Sequence, residues 1–132
     1  MADSIAPEFI PDPDLLFCRV HWSQFNVKEN RIARSVFGKV NQSVDWSKYA
    51  TREETLARHR KPEEIRPVAS IAAGACRDLN QTVVHVPLES TDPGGPNRAH
   101  SEIRGEKSKL TQSRLRDALT DVWPNPSFRP IP

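Results

Sequence analysis

The frequency and placement of proline limit this chain to short elements. Twelve of its 132 residues are proline, about twice the usual frequency of roughly 5%. Pro62 follows one predicted helix, Pro87 follows a predicted strand and Pro124 follows a second helix. Proline interrupts helices and central strands, because it fixes φ and has no N–H to donate. We therefore expect short elements, long connections and extended ends.

Length and composition indicate one domain. A chain of 132 residues is large enough to bury most of its surface around one core, although its apolar fraction of 36% is below that of a typical domain. The net charge is only +2, with both signs interspersed, which argues against a dedicated nucleic-acid-binding protein. We predict an acidic, proline-containing arm over residues 1–14, a single domain over 15–122 and a proline-rich tail over 123–132.

The cysteines and the apolar segments predict a cytoplasmic protein. Cys18 and Cys76 lie in apolar runs without a paired spacing, which is typical of buried thiols in a reducing compartment. No apolar run approaches the roughly 20 residues that cross a bilayer, so we expect no membrane contact. The acidic beginning of the chain does not resemble a secretory signal.

Several segments carry the β-branched residues or the alternation of polar and apolar residues that is typical of strands. They are residues 15–22, 35–38 continued by 40–46, 81–86 and 99–104. The polar stretch 26–34 is predicted to be a loop. In the first strand, Arg19 and His21 should share a face, because side chains two residues apart point to the same side.

Two segments are predicted to be helices. Thr51 and Glu54 have the spacing of a capping box, in which the threonine and the glutamate each accept a backbone N–H at the start of a helix. That helix should run to residue 59 or 60, before a proline. An apolar stripe over residues 109–122 predicts a second, amphipathic helix.

Residues 68–79 are ambiguous between helix and strand. Their alanines and apolar spacing favour a helix, which we prefer, and a strand over 68–71 is the alternative. Together the elements predict an α+β fold, with a small mixed or antiparallel sheet covered by two or three helices and with extended termini.

Two histidines flank the Pro/Gly loop that follows the third predicted strand. His85 ends that strand and His100 begins the next alternating segment. Histidine can exchange protons near neutral pH, so the two could act as a general acid and base. The other interpretation is that each is a hydrogen-bonded structural residue. Their spacing matches no zinc or hydrolase signature, and we predict no metal and no cofactor.

Residues Arg19, His21, Ser35 and Glu54 resemble the arginine, histidine, serine and glutamate of small nucleotide-transfer domains of the ADP-ribosyltransferase type. The resemblance covers residues 16–56, and the Ser-Thr-Ser and terminal glutamate signatures of that group are not present. It implies that Arg19 and His21 bind a ligand such as a nucleotide.

Basic residues are concentrated between the Pro/Gly loop and the last predicted helix. They are Arg98, Arg104, Lys107, Lys109, Arg114 and Arg116, with acidic residues interleaved. Arg98 or Arg104 could hold a phosphate for the two histidines, and the group could contact nucleic acid. Alternatively, these charges form a solvated, salt-bridged surface.

Both ends of the chain carry aromatic residues among prolines. Phe9 lies in the acidic arm. Trp123 is the first residue of the predicted proline-rich tail, and Phe128 lies within that tail. Aromatic side chains anchor many protein interfaces, and extended proline-rich segments are common ligands of other proteins. We therefore predict that these three residues contact a protein partner.

Four short segments resemble a group of short, uncharacterised bacterial proteins. The segments are Leu16-Phe17-Cys18-Arg19, Ser43-Val44-Asp45-Trp46, Glu53-Glu54-Thr55-Leu56-Ala57 and Asn97-Arg98-Ala99-His100. The resemblance spans residues 15 to about 119 and implies a bacterial cytoplasmic domain without implying an activity. Our first hypothesis is a non-catalytic accessory subunit of a larger assembly. The alternatives are a small enzyme acting on a nucleotide or phosphoester through paired histidines, and a nucleic-acid contact through the basic residues.

Overall fold

A computed structural model describes residues 6–129, which form a mixed α+β fold around a six-stranded sheet. The strands are β1 (Leu15–His21), β2 (Phe25–Asn26), β3 (Arg31–Ile32), β4 (Asn41–Trp46), β5 (Ile65–Ala72), β6 (Thr82–His85), β7 (His100–Arg104) and β8 (Thr120–Pro124). The helices are α1 (Arg52–Ala57), α2 (Ala73–Asp78) and α3 (Lys109–Asp117). The sheet has the order β6-β7-β4-β1-β5-β8, and all neighbouring strands are antiparallel. The α+β class is confirmed, and the sheet is larger than predicted.

The first face of the sheet carries the main hydrophobic core. Leu16, Cys18 and Val20 alternate along β1 towards this face, as the period of two in a strand requires. The same buried cluster includes Cys76 of α2 and Leu115 of α3. Burial of these apolar side chains is the main force that holds the helices against the strands.

The second face of the sheet is divided between a small apolar cluster and polar side chains. Phe17, Leu56, Ile65 and Val68 form the cluster, with Trp123 packed against it. Towards β4 and β7, the same face carries polar and charged residues. They include Arg19, Ser43, Asp45, His100 and Glu102, as the register of the strands dictates.

The two central strands β1 and β4 separate along their length. They pair only at Leu16 with Trp46 and at Phe17 with Asp45. Beyond that point β1 continues to pair with β5, and β4 continues to pair with β7. The end of β1 and the beginning of β4 therefore border a gap in the middle of the sheet.

Residues 6–14, the described part of the arm, pack on the domain. Ile10 is 1% exposed and belongs to the main core. Asp14 accepts a hydrogen bond of 2.9 Å from the indole N–H of Trp46, and Asp12 pairs with Arg77 at 2.6 Å. The arm is held by contacts to elements distant in sequence.

Residues 68–79 show the largest difference from the prediction. The preferred helix is wrong for 68–72, which belong to β5, and a helix begins only at Ala73. Most residues of β5 are buried, so the strand lacks the alternation that identifies a half-exposed strand. Apolar runs of this kind give the same signal in strands and in buried helices.

Two predicted elements, the helix over 109–122 and the second strand, differ in part from the structure. Helix α3 ends at Asp117, and Val122 lies in the edge strand β8. Residues Arg34–Phe37 form a short 3-10 helix instead of a strand, and the predicted loop 26–34 contains parts of the hairpin β2–β3. The capping box of Thr51 and Glu54 is confirmed, with α1 ending at Ala57.

Candidate anion-binding groove

A groove of about 260 Å³ lies where β1 and β4 separate, and we call it the polar groove. Three segments supply its walls: the end of β1 with the turn that follows, the stretch leading into β4, and the chain after α1. The lining residues are Arg19, His21, Gln24, Ser35, Val36, Lys39, Asn41, Gln42, Ser43, His59 and Ile65. Nine of these eleven side chains are polar.

The polar groove has an excess of positive charge. Arg19 and Lys39 line it, and no carboxylate does. The nearest acidic partner is Glu64, whose carboxylate lies 3.5 Å from Nε2 of His21. In the described part of the chain, neither Arg19 nor Lys39 has a carboxylate within ion-pairing distance. The groove therefore presents unneutralised cations beside hydroxyl and amide groups.

Arg19 is fixed in the groove by its strand and by one hydrogen bond. It lies opposite Val68 in the pairing of β1 with β5, and its guanidinium donates to the carbonyl of Thr55 at 3.0 Å. A guanidinium has five N–H donors. Most of its donors remain available to a ligand in the groove.

The two histidines of the groove are held in the same tautomer. Nδ1 of His21 accepts the backbone N–H of Ser23 at 3.2 Å, and Nδ1 of His59 accepts the backbone N–H of Lys61 at 3.1 Å. A ring nitrogen that accepts an N–H cannot carry a proton itself, so the proton is on Nε2 in both residues. Both imidazoles are thus hydrogen-bond donors on the side away from the backbone.

The environment of His59 disfavours its charged form. Burial lowers the pKa of His59, and the positive charge of Arg19 lowers it further. Both causes act on the imidazolium, because burial removes its hydration and a nearby cation repels it. At neutral pH, His59 is therefore a neutral donor next to a fixed cation.

A closed polar network lies next to the groove on the same face of the sheet. Its centre is the buried carboxylate of Asp45, which accepts from Thr55 Oγ1 at 2.8 Å, from Asn97 Nδ2 at 2.9 Å and from Arg58 at 3.2 Å. We call these four residues the Asp45 network. Asn97 also accepts the backbone N–H of Ala99 at 3.0 Å. Each buried polar group here has a partner, as stable interiors require.

His85 lies on the first face of the sheet, with both ring nitrogens engaged. Nδ1 accepts the backbone N–H of Glu8 at 3.0 Å, and Nε2 donates to the carbonyl of Arg98 at 2.7 Å. The ring is 3% exposed and packs against Trp46 and Tyr49. In this position His85 joins the arm to the loop before β7.

The structure does not bring His85 and His100 together. His85 pairs with Ser101, so His100 points to the opposite face, where it pairs with Asp45. Nδ1 of His100 donates to the carbonyl of Val86 at 2.9 Å. Acid–base catalysis by this pair stays a prediction, with the two rings on different sides of the sheet.

The basic residues between 98 and 116 have separate partners. Arg98 stacks over Tyr49 at 4.1 Å, and Arg104 pairs with Glu102 at 2.7 Å. Lys107 donates to three backbone carbonyls, those of Val40, Ile103 and Gly105, and Arg116 pairs with Asp117. Burial lowers the pKa of Lys107. Arg104 and Arg116 are thus in ion pairs, as the salt-bridged interpretation expects, whereas the partners of Arg98 and Lys107 are uncharged.

The three aromatic residues predicted to contact a partner lie in different surroundings. Phe9 is 76% exposed, with the guanidinium of Arg77 at 4.8 Å from its ring centre. Trp123 is half-buried in β8 against the small apolar cluster. Phe128 is half-buried beside Arg66, at 5.2 Å. Their role in a protein contact stays a prediction.

The described residues contain no metal site and no membrane-spanning helix. Within residues 6–129, no group of three or more histidine, cysteine, aspartate or glutamate side chains is arranged to hold a metal ion. Over the same range, no helix has the length and apolar character needed to cross a membrane. Cys18 and Cys76 are free and buried, and burial raises the pKa of both thiols.

Part of the polar groove is predictable from the sequence. Arg19 and His21 are predicted to share a strand face, Ser35 belongs to the same resemblance, and all three residues line the groove. Lys39 and His59 are not predicted, because they come from connections without a recognisable motif. Arg98 and Arg104, the other predicted ligand-binding residues, lie outside the groove. The position of His59 at the end of a predicted helix is the only sequence signal that could have drawn attention to it.

Comparison with protein-family models, with curated proteins and with solved structures gave no match to this chain. The resemblances to short bacterial proteins and to ADP-ribosyltransferases stay predictions.

Proposed function

We propose that this chain is a non-catalytic binding domain that holds a phosphate-bearing ligand in the polar groove. The observation that carries the proposal is the composition of the groove wall, which combines Arg19 and Lys39 with two histidines and no carboxylate. Guanidinium and ammonium groups bind phosphate by charge-assisted hydrogen bonds. Serine hydroxyls and side-chain amides supply further donors.

The tautomers of His21 and His59 support binding over catalysis. A general base needs an unprotonated nitrogen that faces the substrate. Here the backbone N–H groups of Ser23 and Lys61 occupy Nδ1 of each ring, which leaves Nε2–H facing away. Nε2–H of His59 is suited to donate a hydrogen bond to an anion, whereas Nε2 of His21 lies 3.5 Å from the carboxylate of Glu64. An enzyme with these residues as its acid and base is the less supported alternative.

The proposal includes a cytoplasmic location. The free, buried thiols of Cys18 and Cys76 suit a reducing compartment.

Calorimetric titration with inorganic phosphate and pyrophosphate tests the proposal. We expect the wild-type chain to bind pyrophosphate with a dissociation constant below about 1 mM, and Arg19→Gln to weaken binding at least about tenfold. Arg104→Gln is the matched control, because Arg104 is on the same face of the sheet but is paired with Glu102. No binding by the wild type, or equal losses in the two variants, would refute the proposal.

A second candidate function, an accessory subunit that docks on a partner protein, is favoured by a separate surface. A groove of about 490 Å³, which we call the apolar groove, lies between the hairpin β2–β3 and the edge strand β8. Phe25, Ile32, Leu119 and Val122 are among its apolar lining residues.

Charge around the apolar groove indicates the chemistry of the partner. Three arginines and one aspartate line it: Arg31, Arg66, Arg116 and Asp117. Two of these arginines are ion-paired, Arg31 with Glu29 and Arg116 with Asp117, and Arg66 has no carboxylate within ion-pairing distance in the described part of the chain. An apolar floor beside this one unpaired cation complements an extended segment that carries apolar and acidic side chains. The edge position of β8 makes this surface accessible to another chain.

Capture experiments with matched variants test the second candidate. Val122 is 49% exposed in the apolar groove, and Val40 is 52% exposed outside it. If the apolar groove docks a partner, wild type and Val40→Glu retain the same protein from an extract of the host, and Val122→Glu loses it. Retention by all three chains, or by none, would contradict the docking function.

A further inference from the structure

Trp22 is an exposed aromatic residue that the hydrophobic core does not use. It is 38% exposed and belongs to neither buried cluster. Single exposed apolar side chains are common on protein surfaces, so the surroundings of Trp22 decide whether it has a role beyond packing.

The indole of Trp22 lies beside the polar groove. The residue begins a short 3-10 turn and stands between His21 and Gln24, which both line the groove. Its ring centre is 5.3 Å from the ring centre of His21, with an angle of 39° between the planes. Trp22 is not one of the residues that line the groove, so its indole is available to a part of the ligand that extends out of the groove past His21.

The size of the groove limits what it can hold. Its volume of about 260 Å³ is below the range of roughly 300–1,000 Å³ that is usual for small-ligand pockets. A phosphate with part of a sugar occupies such a space, and any larger group attached to it must lie outside. If that attached group leaves the groove beside His21, it contacts the indole of Trp22.

We propose that the ligand of the polar groove is a nucleoside phosphate, with its phosphate held by Arg19 and Lys39 and its base stacked on Trp22. This inference rests on the proposed phosphate-binding function. Every nucleobase has a flat π face that stacks on an aromatic side chain. Sugar phosphates and inorganic phosphate have no such face, so they leave the indole uncovered. The nucleoside phosphate can be free or can be the end of a single-stranded nucleic acid, since both present the same groups.

Competition between matched ligands tests the inference. The probes are pyrophosphate, ribose 5-phosphate, adenosine 5′-monophosphate and an adenosine tetranucleotide, titrated into wild type, Trp22→Ala and Trp22→Phe. We expect adenosine 5′-monophosphate to bind the wild type about tenfold more tightly than ribose 5-phosphate. Trp22→Ala should abolish that advantage and leave the affinity for pyrophosphate unchanged, and Trp22→Phe should retain most of the advantage.

Each outcome separates the two proposals. If pyrophosphate binds but the two ribose compounds bind equally, or if Trp22→Ala retains the preference, the nucleoside inference is wrong and phosphate binding stands. If the wild type binds none of the phosphate probes, both proposals fail. Tighter binding of the tetranucleotide than of the mononucleotide, lost in Trp22→Ala, supports a nucleic-acid end as the source. Equal binding of the two supports a free nucleotide.

Tryptophan fluorescence gives a second readout that does not depend on affinity alone. Trp46 is 1% exposed and Trp123 is half-buried. A base stacked on Trp22 should therefore change mainly the emission of Trp22, the most exposed of the three indoles. We expect adenosine 5′-monophosphate to quench wild-type emission and to leave the emission of Trp22→Phe unchanged. Equal quenching in both chains would overturn the assignment of the base to Trp22.

Discussion

The Asp45 network and the polar groove lie next to each other on one face of the sheet and differ in how their charges are matched. Asp45 and Ser43 are two residues apart on β4, and Phe17 and Arg19 are two residues apart on β1. Where the two strands pair, the buried carboxylate of Asp45 accepts hydrogen bonds from three side chains. Where they separate, Arg19 and Lys39 have no carboxylate within ion-pairing distance among residues 6–129.

This difference distinguishes a structural polar region from a binding region. A buried charge with all of its partners contributes to a unique fold and has no donors left for a ligand. A groove with unmatched cations keeps its donors available and gains favourable interactions only when an anion enters. The pairing of β1 with β4 at only two positions places both regions on the same pair of strands.

The largest effect should follow from a break in the Asp45 network. We expect Asp45→Ala to lower the free energy of unfolding by about 3 kcal/mol, because Arg58, Thr55 and Asn97 lose their shared acceptor. Urea denaturation measures the change, and Glu106→Ala, at an exposed carboxylate, is the control. A loss below about 0.5 kcal/mol would show that the network is not the structural region.

Two histidines allow a second test of the same distinction. His85→Ala should lower the free energy of unfolding by about 2 kcal/mol, because it removes buried ring contacts and leaves Glu8 N–H and the Arg98 carbonyl without a partner. His59→Ala should cost only about 0.5 kcal/mol, since this ring lines an open groove. The same urea experiment compares them, and the reverse order would contradict the assignment of His85 to structure and of His59 to the groove.

The smallest expected effect is a change in the pH dependence of stability. The pKa of His59 in the folded chain is below its ordinary value of 6.5, so the unfolded chain binds more protons between the folded and unfolded pKa values. The stability contributed by neutral His59 is therefore complete above about pH 6.5 and is lost as the pH falls towards the folded pKa. His59→Gln should reduce the decrease in stability between about pH 7.5 and pH 5.5. An unchanged decrease would show that burial and the charge of Arg19 do not disfavour the charged form of His59.

Sequence reasoning succeeded where the signal is local. The capping box of Thr51 and Glu54 depends on residues three apart, and the structure confirms it. The shared face of Arg19 and His21 depends only on the period of a strand, and both residues line the groove. The residues that complete the groove, Lys39 among them, come from connections whose course is set by tertiary packing.

The sequence does not predict features that depend on strand register or on the burial of a whole strand. The pairing of His85 with Ser101 puts His100 on the other face, and a shift of one residue would have put the two histidines on the same face. Such a register is set by contacts between strands and has no local signal. The helix predicted for residues 68–72 is wrong because a strand that is buried along most of its length lacks alternation.

A two-dimensional NMR titration of the wild-type chain with inorganic phosphate reports directly where the anion binds. We expect the largest shifts at Arg19, His21, Lys39 and His59, and no change in the signals of Asp45 and His85. Shifts concentrated at Arg98, Arg104 or Arg116, or no shifts at all, would show that the gap between β1 and β4 is not an anion-binding groove.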